Sequence, residues 1–161
     1  MDRDTLLAMT DFSRARLLGA LDLIEKKFPQ VETVLAWRPG TGRAHIAWQA
    51  MHCAATHDKY LNVNIRAVQP NDPVLVAAYG GGSTPSDQNI PSLATIRSTL
   101  EKEIGDFRRY ISALTPDEMQ RKLPSGRTVG ESILLLAWHE AHHQGQIHLT
   151  WNLYKQAHDL S

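Results

Sequence analysis

Between Leu93 and Leu114 the apolar side chains Leu93, Ile96, Leu100, Ile104, Phe107, Ile111 and Leu114 follow one another at steps of three and four. A helix with about 3.6 residues per turn gathers all of them onto one stripe, whereas a strand, with a side-chain period of about 2, would scatter them over both faces. A stripe of that length must be covered by other apolar faces, and the rest of the chain offers helices to do it. From Asp4 to Phe28, Leu17, Leu21, Ile24 and Phe28 keep the same spacing, Leu18 broadens the stripe, and Pro29 stops it. Residues from Ala44 to about Val68 contain neither glycine nor proline and read as a second helix closed by Gln69-Pro70. Thr128-Val129-Gly130-Glu131 has the form of a capping box and opens a last helix running to about Ala157. Residues 29–42, with Pro29, Pro39, Gly40 and Gly42, read as a loop, and Thr115-Pro116-Asp117-Glu118 as a short capped turn. Residues 70–91, with Gly80, Gly81, Gly82 and Ser83-Thr84-Pro85-Ser86, read as a connection far longer than neighbouring antiparallel helices need. No alternating apolar–polar run is present. The expectation is an all-α fold: a single four-helix-bundle domain over residues 1–161, with a long crossover between its second and third helices.

Charge and cysteine content narrow the function classes. Seventeen Lys and Arg balance seventeen Asp and Glu, so no broad basic field exists to hold nucleic acid or an anionic membrane. Cys53 is the only cysteine, which rules out an internal disulfide and four-cysteine zinc sites. The first residues alternate acids and bases without an apolar h-region, and no run approaches the ~18 apolar residues of a membrane span. A cytoplasmic protein is expected.

Histidine is where chemistry concentrates. Seven of the eight histidines fall between His45 and His57 or between His139 and His148. His139 and His143 stand one turn apart and about 40° from each other around the helix, which lets two imidazoles converge on one ion. Val129, Ile133 and Leu136 precede them on that face, and Ile147, Thr150 and Leu153 follow, so the pair points to the core. Buried imidazoles need partners, and a metal would satisfy both. On the second helix His45, Trp48, His52 and Ala55 share a face, making His52 the third candidate ligand; His57, about 140° away, cannot join it. Three neutral imidazoles with open remaining positions form a catalytic or exchangeable site for Zn²⁺, and the same ligand set accommodates Ni²⁺, Fe²⁺ or Mn²⁺. His45, about 10 Å along the helix from His52, is placed to line a pocket mouth rather than share the ion. His142 is expected at an inter-helix or subunit contact, and His148 and His158 in solvent. Cys53 and His57 have the spacing of a thiolate and its base, but a cysteine flanked by alanines in a helix interior is ordinarily small packing.

The segment His139-Glu140-Ala141-His142-His143 also fits H-E-x-x-H, in which two histidines hold zinc and the glutamate activates water. The longer metzincin form fails in register, because Gly145 and His148 each come one residue early. Glu140 and His143 match one half of a ferritin-like di-iron site, but the second helix supplies Asp58 as its only carboxylate. A third reading rests on likeness. The run His139-Glu140-Ala141-His142-His143-Gln144-Gly145-Gln146-Ile147, preceded by Trp48-Gln49-Ala50-Met51-His52-Cys53-Ala54-Ala55, resembles the DinB/YfiT-like superfamily of damage-inducible proteins: one histidine on the second helix, then H-x-x-x-H and a Gly-Gln step on the fourth. The matching positions are His52, His139 and His143. Gln144 stands where the family often has Arg or Lys, and His57 where it often has an acid.

That resemblance implies a homodimeric, cytoplasmic four-helix bundle holding a divalent metal, usually Zn²⁺ or Ni²⁺. Characterised members include thiol-dependent S-transferases and mycothiol-dependent isomerases, so a small-molecule thiol and an electrophile are the implied substrates. A metal-bound water acting in hydrolysis and a non-catalytic metal-binding bundle of the stress response are the alternatives. Glu140 is expected either to accept from a ligand imidazole or to face solvent, and Trp138 and His142 are the candidates for a dimer face.

Overall fold

The computed structural model describes residues 2–160. It contains seven α-helices: α1 (Arg3–Lys27), α2 (Val31–Ala36), α3 (Ile46–Asp58), α4 (Pro73–Tyr79), α5 (Leu93–Ser112), α6 (Pro116–Gln120) and α7 (Val129–Ala157). Among the described residues the only β pairing is an isolated bridge between Lys122 and Thr128. Among the described residues no helix is long and apolar enough to cross a membrane. The four long helices carry the core: α1 packs on α5 and α7, and α3 packs on the same two.

Local chemistry explains where the helices begin. The Asp2 carboxylate accepts from the Thr5 amide, Ser92 from Thr95 and Thr115 from Glu118. At α7 the Thr128 hydroxyl accepts from the Glu131 amide while the Glu131 carboxylate accepts from the Thr128 amide at 2.6 Å, so two otherwise orphaned donors are satisfied reciprocally.

Three stretches depart from the expectation. Residues 29–42 are not all loop, because Val34 and Leu35 are buried and draw α2 onto α3. Residues 70–91 contain α4, started by Asp72 capping Leu75 with Pro73 in the first turn and held against α3 by buried Leu75. The second long helix changes character after Asp58: Lys59–Ile65 is π-helical, and the Arg66 amide reaches back five residues to the Leu61 carbonyl. Buried Asp58 anchors this widened segment, accepting from the Asn62 side chain (2.6 Å) and from the backbone amides of Asn71 (2.9 Å) and Asp72 (2.8 Å).

The apolar interior falls into two clusters. One gathers Leu17, Leu21, Ile24, Ala54, Leu100, Ile147 and Trp151. The other gathers Leu6, Leu61, Phe107, Ile111, Ile133 and Leu136. On α1, Arg14 lies between Leu6 and Leu17; on α7, Glu140 lies between Leu136 and Ile147; on α3, His57 lies just before Leu61. A polar layer therefore sits where the two clusters meet, and all three of its side chains are 1% exposed.

Candidate metal centre

The structure brings His52, His139 and His143 together between α3 and α7. One imidazole nitrogen from each lies within 4.8 Å of the other two, and the ring centroids are 5.0, 4.7 and 4.5 Å apart. The Nε2 atoms of His52 and His139 are 3.1 Å apart. Donors on a tetrahedral ion with bonds of about 2.0–2.1 Å to nitrogen are separated by about 3.3 Å, so this edge already has nearly the ligand spacing.

Two features fix the His52 ring. Its Nδ1–H donates to the Tyr79 carbonyl at 2.5 Å, at the end of α4, which leaves Nε2 with a free lone pair facing His139. Its outer face is covered by Trp48, stacked at 4.8 Å and 8°. Gly80, next to Tyr79, closes α4 by donating its amide to Val76, and a Cβ at that position would overlap the Val76 carbonyl oxygen. Glycine there lets the Tyr79 carbonyl stand where His52 needs it.

Burial, joined by the neighbouring imidazoles, lowers the basicity of His139 to a pKa of about 4 and of His143 to about 3; burial also lowers His52, against the Tyr79 hydrogen bond. All three are neutral at physiological pH, the form in which imidazole binds a metal. Nδ1 of His139 and Nδ1 of His143 are buried without a hydrogen-bond partner. A cluster of close-packed neutral imidazoles with unpartnered buried nitrogens is poorly satisfied by itself and is the donor set that suits a divalent cation.

The surrounding residues divide sharply. Trp48 stacks on His52, and with His45, Tyr79 and Ser86 it lines a 210 Å³ cavity that none of the three histidines enters. His45 is the N-cap of α3, accepting from the Trp48 amide at 3.0 Å while its Nε2 faces the Ser86 carbonyl at 3.0 Å. His142 is exposed on α7 with its ring 5.3 Å from that of His143, stacked on Trp138 (60% exposed) and bonded to the Gln146 amide. His148 and His158 are exposed, and the latter is stacked on Tyr154.

Glu140 contradicts both expectations for it: it neither faces solvent nor accepts from a triad imidazole. It accepts from Arg14 Nε through Oε1 and from Arg14 Nη2 through Oε2 at 3.4 Å, while Arg14 Nη1 donates to the Leu100 carbonyl. His57 Nδ1 accepts from Arg14 Nη2 at 3.3 Å, its Nε2 lies 3.5 Å from Glu140 Oε2, and its ring stacks on Phe107. Burial and the adjacent guanidinium hold His57 well below the usual histidine range, hence neutral. Burial pushes the Glu140 carboxyl up while Arg14 pulls it down; because Arg14 keeps its proton and has no other acid, the pair stays ionised. Arg14 escaped the sequence reading, although it lies three residues before Leu17 on the apolar stripe of α1. A cation on a core stripe calls for a buried acid, and Glu140, four residues after Leu136, is on the facing stripe. Cys53 is fully buried, and burial together with Glu140 pushes its thiol well up, which leaves it inert.

Comparison with known proteins agrees with this architecture. A crystal structure described as a conserved protein from Enterococcus faecalis superposes with a TM-score of 0.73, covering 95% of this chain and 97% of that one at 11% identity, a likeness of fold. No curated protein matches the chain. The family model of the DinB superfamily matches residues 9–147. An all-helical chain with three histidines converging between two of its long helices, matched over most of its length by that model, belongs to the DinB superfamily.

Proposed function

We propose that this protein is a divalent-metal-dependent transferase that activates a small-molecule thiol for attack on an electrophile, with His52, His139 and His143 as the metal ligands and Zn²⁺ or Ni²⁺ as the metal. The observation that carries the reading is the triad itself: three neutral, close-packed imidazoles from two helices, with no carboxylate or thiolate joining them among the described residues. Three protein ligands leave coordination positions for a small molecule. A divalent cation held there supplies Lewis acidity, which favours the thiolate form of a thiol at neutral pH.

The chain's own residues bind and orient. His52 is aimed by the Tyr79 carbonyl and braced by Trp48. Glu140 supports the reading by its absence from the site. Held by Arg14, it is no general base, which disfavours the H-E-x-x-H peptidase chemistry. The same reading takes α1, α3, α5 and α7 as a four-helix bundle with residues 70–91 as its crossover. It further makes the protein a cytoplasmic homodimer joined through the exposed face of Trp138 and His142.

Activity is tested by thiol transfer to 1-chloro-2,4-dinitrobenzene, in which the carbon–sulfur bond forms as chloride leaves and the thiol proton passes to buffer. Zinc- or nickel-reconstituted protein should accelerate the reaction, and His52→Ala should abolish the acceleration while keeping the fold. Stoichiometric metal without thiol transfer or hydrolysis would leave the non-catalytic metal-binding bundle as the function.

A further inference from the structure

We infer that the trough between the N-terminal halves of α1 and α7 is a binding site for an amphipathic monocarboxylate, its carboxylate against Lys122 and Arg127 and its alkyl chain against Met9, Leu134, Leu135 and Trp138. The inference goes beyond the metal chemistry proposed above and needs none of the three histidines, which do not line the trough. Its volume is 750 Å³, within the range of about 300–1,000 Å³ typical of small-molecule sites. Along α7, Glu131, Leu134, Leu135 and Trp138 stand at steps of three and four, so they form one stripe about 10 Å long. Charge lies at the end where the Lys122–Thr128 turn leads into α7, and apolar surface makes up the rest.

The apolar part is open to a ligand. Met9 and Trp138 are 39% and 60% exposed, and Leu134 and Leu135 are half-buried. Large apolar side chains gathered in one concavity mark a binding surface, whereas single ones scattered over a protein do not. The indole is held in place, because His142 stacks on it at 5.4 Å and 18°. A held indole together with a flexible thioether makes a surface that takes an alkyl chain without demanding one shape of it.

The charged end selects the head group. Lys122 Nζ donates to the Gly126 carbonyl at 3.2 Å, and the Leu123 amide donates to the Arg127 carbonyl at 2.8 Å across the same turn, which Gly126 closes at φ 83°. The turn thus brings two cations to one rim, and neither forms an ion pair among the described residues. The one acid of the lining is Glu131, whose carboxylate is tied to the Thr128 amide at 2.6 Å as the cap of α7. Two cations against one carboxylate leave a single positive charge. That charge balances a monoanion and would leave a phosphate dianion only half neutralised, while the apolar stripe beyond it calls for an alkyl tail.

The test is isothermal titration of the protein with octanoate, decanoate and 1-octanol, each below its micelle or solubility limit. Octanoate should bind about fivefold tighter than octanol, the scale of an exposed ion pair. Decanoate should bind about fivefold tighter than octanoate, less than full burial of two methylenes would give, because the trough is open. Lys122→Gln combined with Arg127→Gln should erase the preference for the acid. Trp138→Ala should weaken acid and alcohol by a common factor, with the circular dichroism melt checking that the helices remain. His143→Ala should bind octanoate as the wild type does, which separates this site from the proposed metal centre. No saturable binding, equal affinities for acid and alcohol, or a preference that survives the double variant would each overturn the inference. Loss of octanoate binding in His143→Ala would put the carboxylate on the metal and overturn it as well. A second copy of the chain is the rival occupant, because Trp138 also lies in the face proposed for the homodimer. A wild type that sediments as a dimer and a Trp138→Ala variant that sediments as a monomer, with neither binding decanoate, would give the trough to that copy and overturn the inference.

Discussion

Replacing Arg14 by Met isolates the energetic cost of the buried polar layer. In the folded protein Arg14 neutralises Glu140 through two contacts, donates to the Leu100 carbonyl and to His57, and is 1% exposed, as is Glu140. Met fills much of the same volume but leaves a carboxylate between two apolar clusters with no cation. Removing one partner of such a pair costs about 3–5 kcal/mol. At roughly 2–4 °C per kcal/mol for a chain of this size, the melting temperature should fall by about 10 °C. The penalty should depend on pH. Without Arg14, burial acts on Glu140 against only the weaker pull of the Arg108 charge and raises its folded pKa further above the unfolded value of about 4.3. A raised carboxyl is at no disadvantage below the unfolded pKa and loses stability as pH climbs through the folded one. The gap between Arg14→Met and wild type should therefore shrink as pH falls towards 4. Replacing both partners, Arg14→Met with Glu140→Leu, should recover most of the loss, because no charge then remains buried. Urea unfolding of the two single variants and the double variant, at pH 7 and pH 4.5, reads all of this. A loss below 1 kcal/mol for Arg14→Met, or a double variant whose loss equals the sum of the singles, would refute the reasoning.

Four further outcomes follow from the same geometry. His139 and His143 titrate in the fold near 4 and 3 against about 6.5 unfolded, so the stability they contribute is present above 6.5 and is lost as pH falls through 4. Metal-free protein should accordingly weaken in urea between pH 6.5 and 4, with a flatter profile in His139→Ala. Trp48→Ala, which uncovers His52, should lower zinc affinity about tenfold in a chelator competition, the usual scale for a residue that orients a ligand. Gly80→Ala should do likewise by displacing the Tyr79 carbonyl, and its effect should vanish in a His52→Ala background. Asp58→Ala strands three donors at the join between α3 and the segment leading to α4; it should cost about 3 kcal/mol by urea titration.

Much of this was legible in the residue order, for physical reasons that also explain what was not. Spacing at three and four marks a helix only where a long face is buried, so the stripes of α1, α5 and α7 were plain, whereas α2 and α4, each with one or two buried apolar residues, carry too short a pattern. The π-helical turns after Asp58 accompany its bonds to the amides of residues 71 and 72, long-range contacts that no local periodicity encodes. The i, i+4 pair His139 and His143 and the distant His52 were identifiable because helix geometry alone aligns them. That Glu140 points inward was equally available from its place after Leu136, but an acid four residues from a leucine signals burial only once Arg14 is recognised on the facing helix. The aiming of His52 depends on the Tyr79 carbonyl, a backbone group 27 residues away in the chain, and side-chain spacing holds no trace of it.

The central claim is that His52, His139 and His143 hold a metal. The most direct test is elemental mass spectrometry of protein purified without an affinity tag, for wild type and His143→Ala, each as isolated and after reconstitution with Zn²⁺ and then with Ni²⁺. The account predicts close to one divalent metal per wild-type chain and its loss in His143→Ala, whose helical content should be unchanged. Wild-type protein that stays metal-free after reconstitution with both ions would contradict it and would leave the three histidines as packing between α3 and α7.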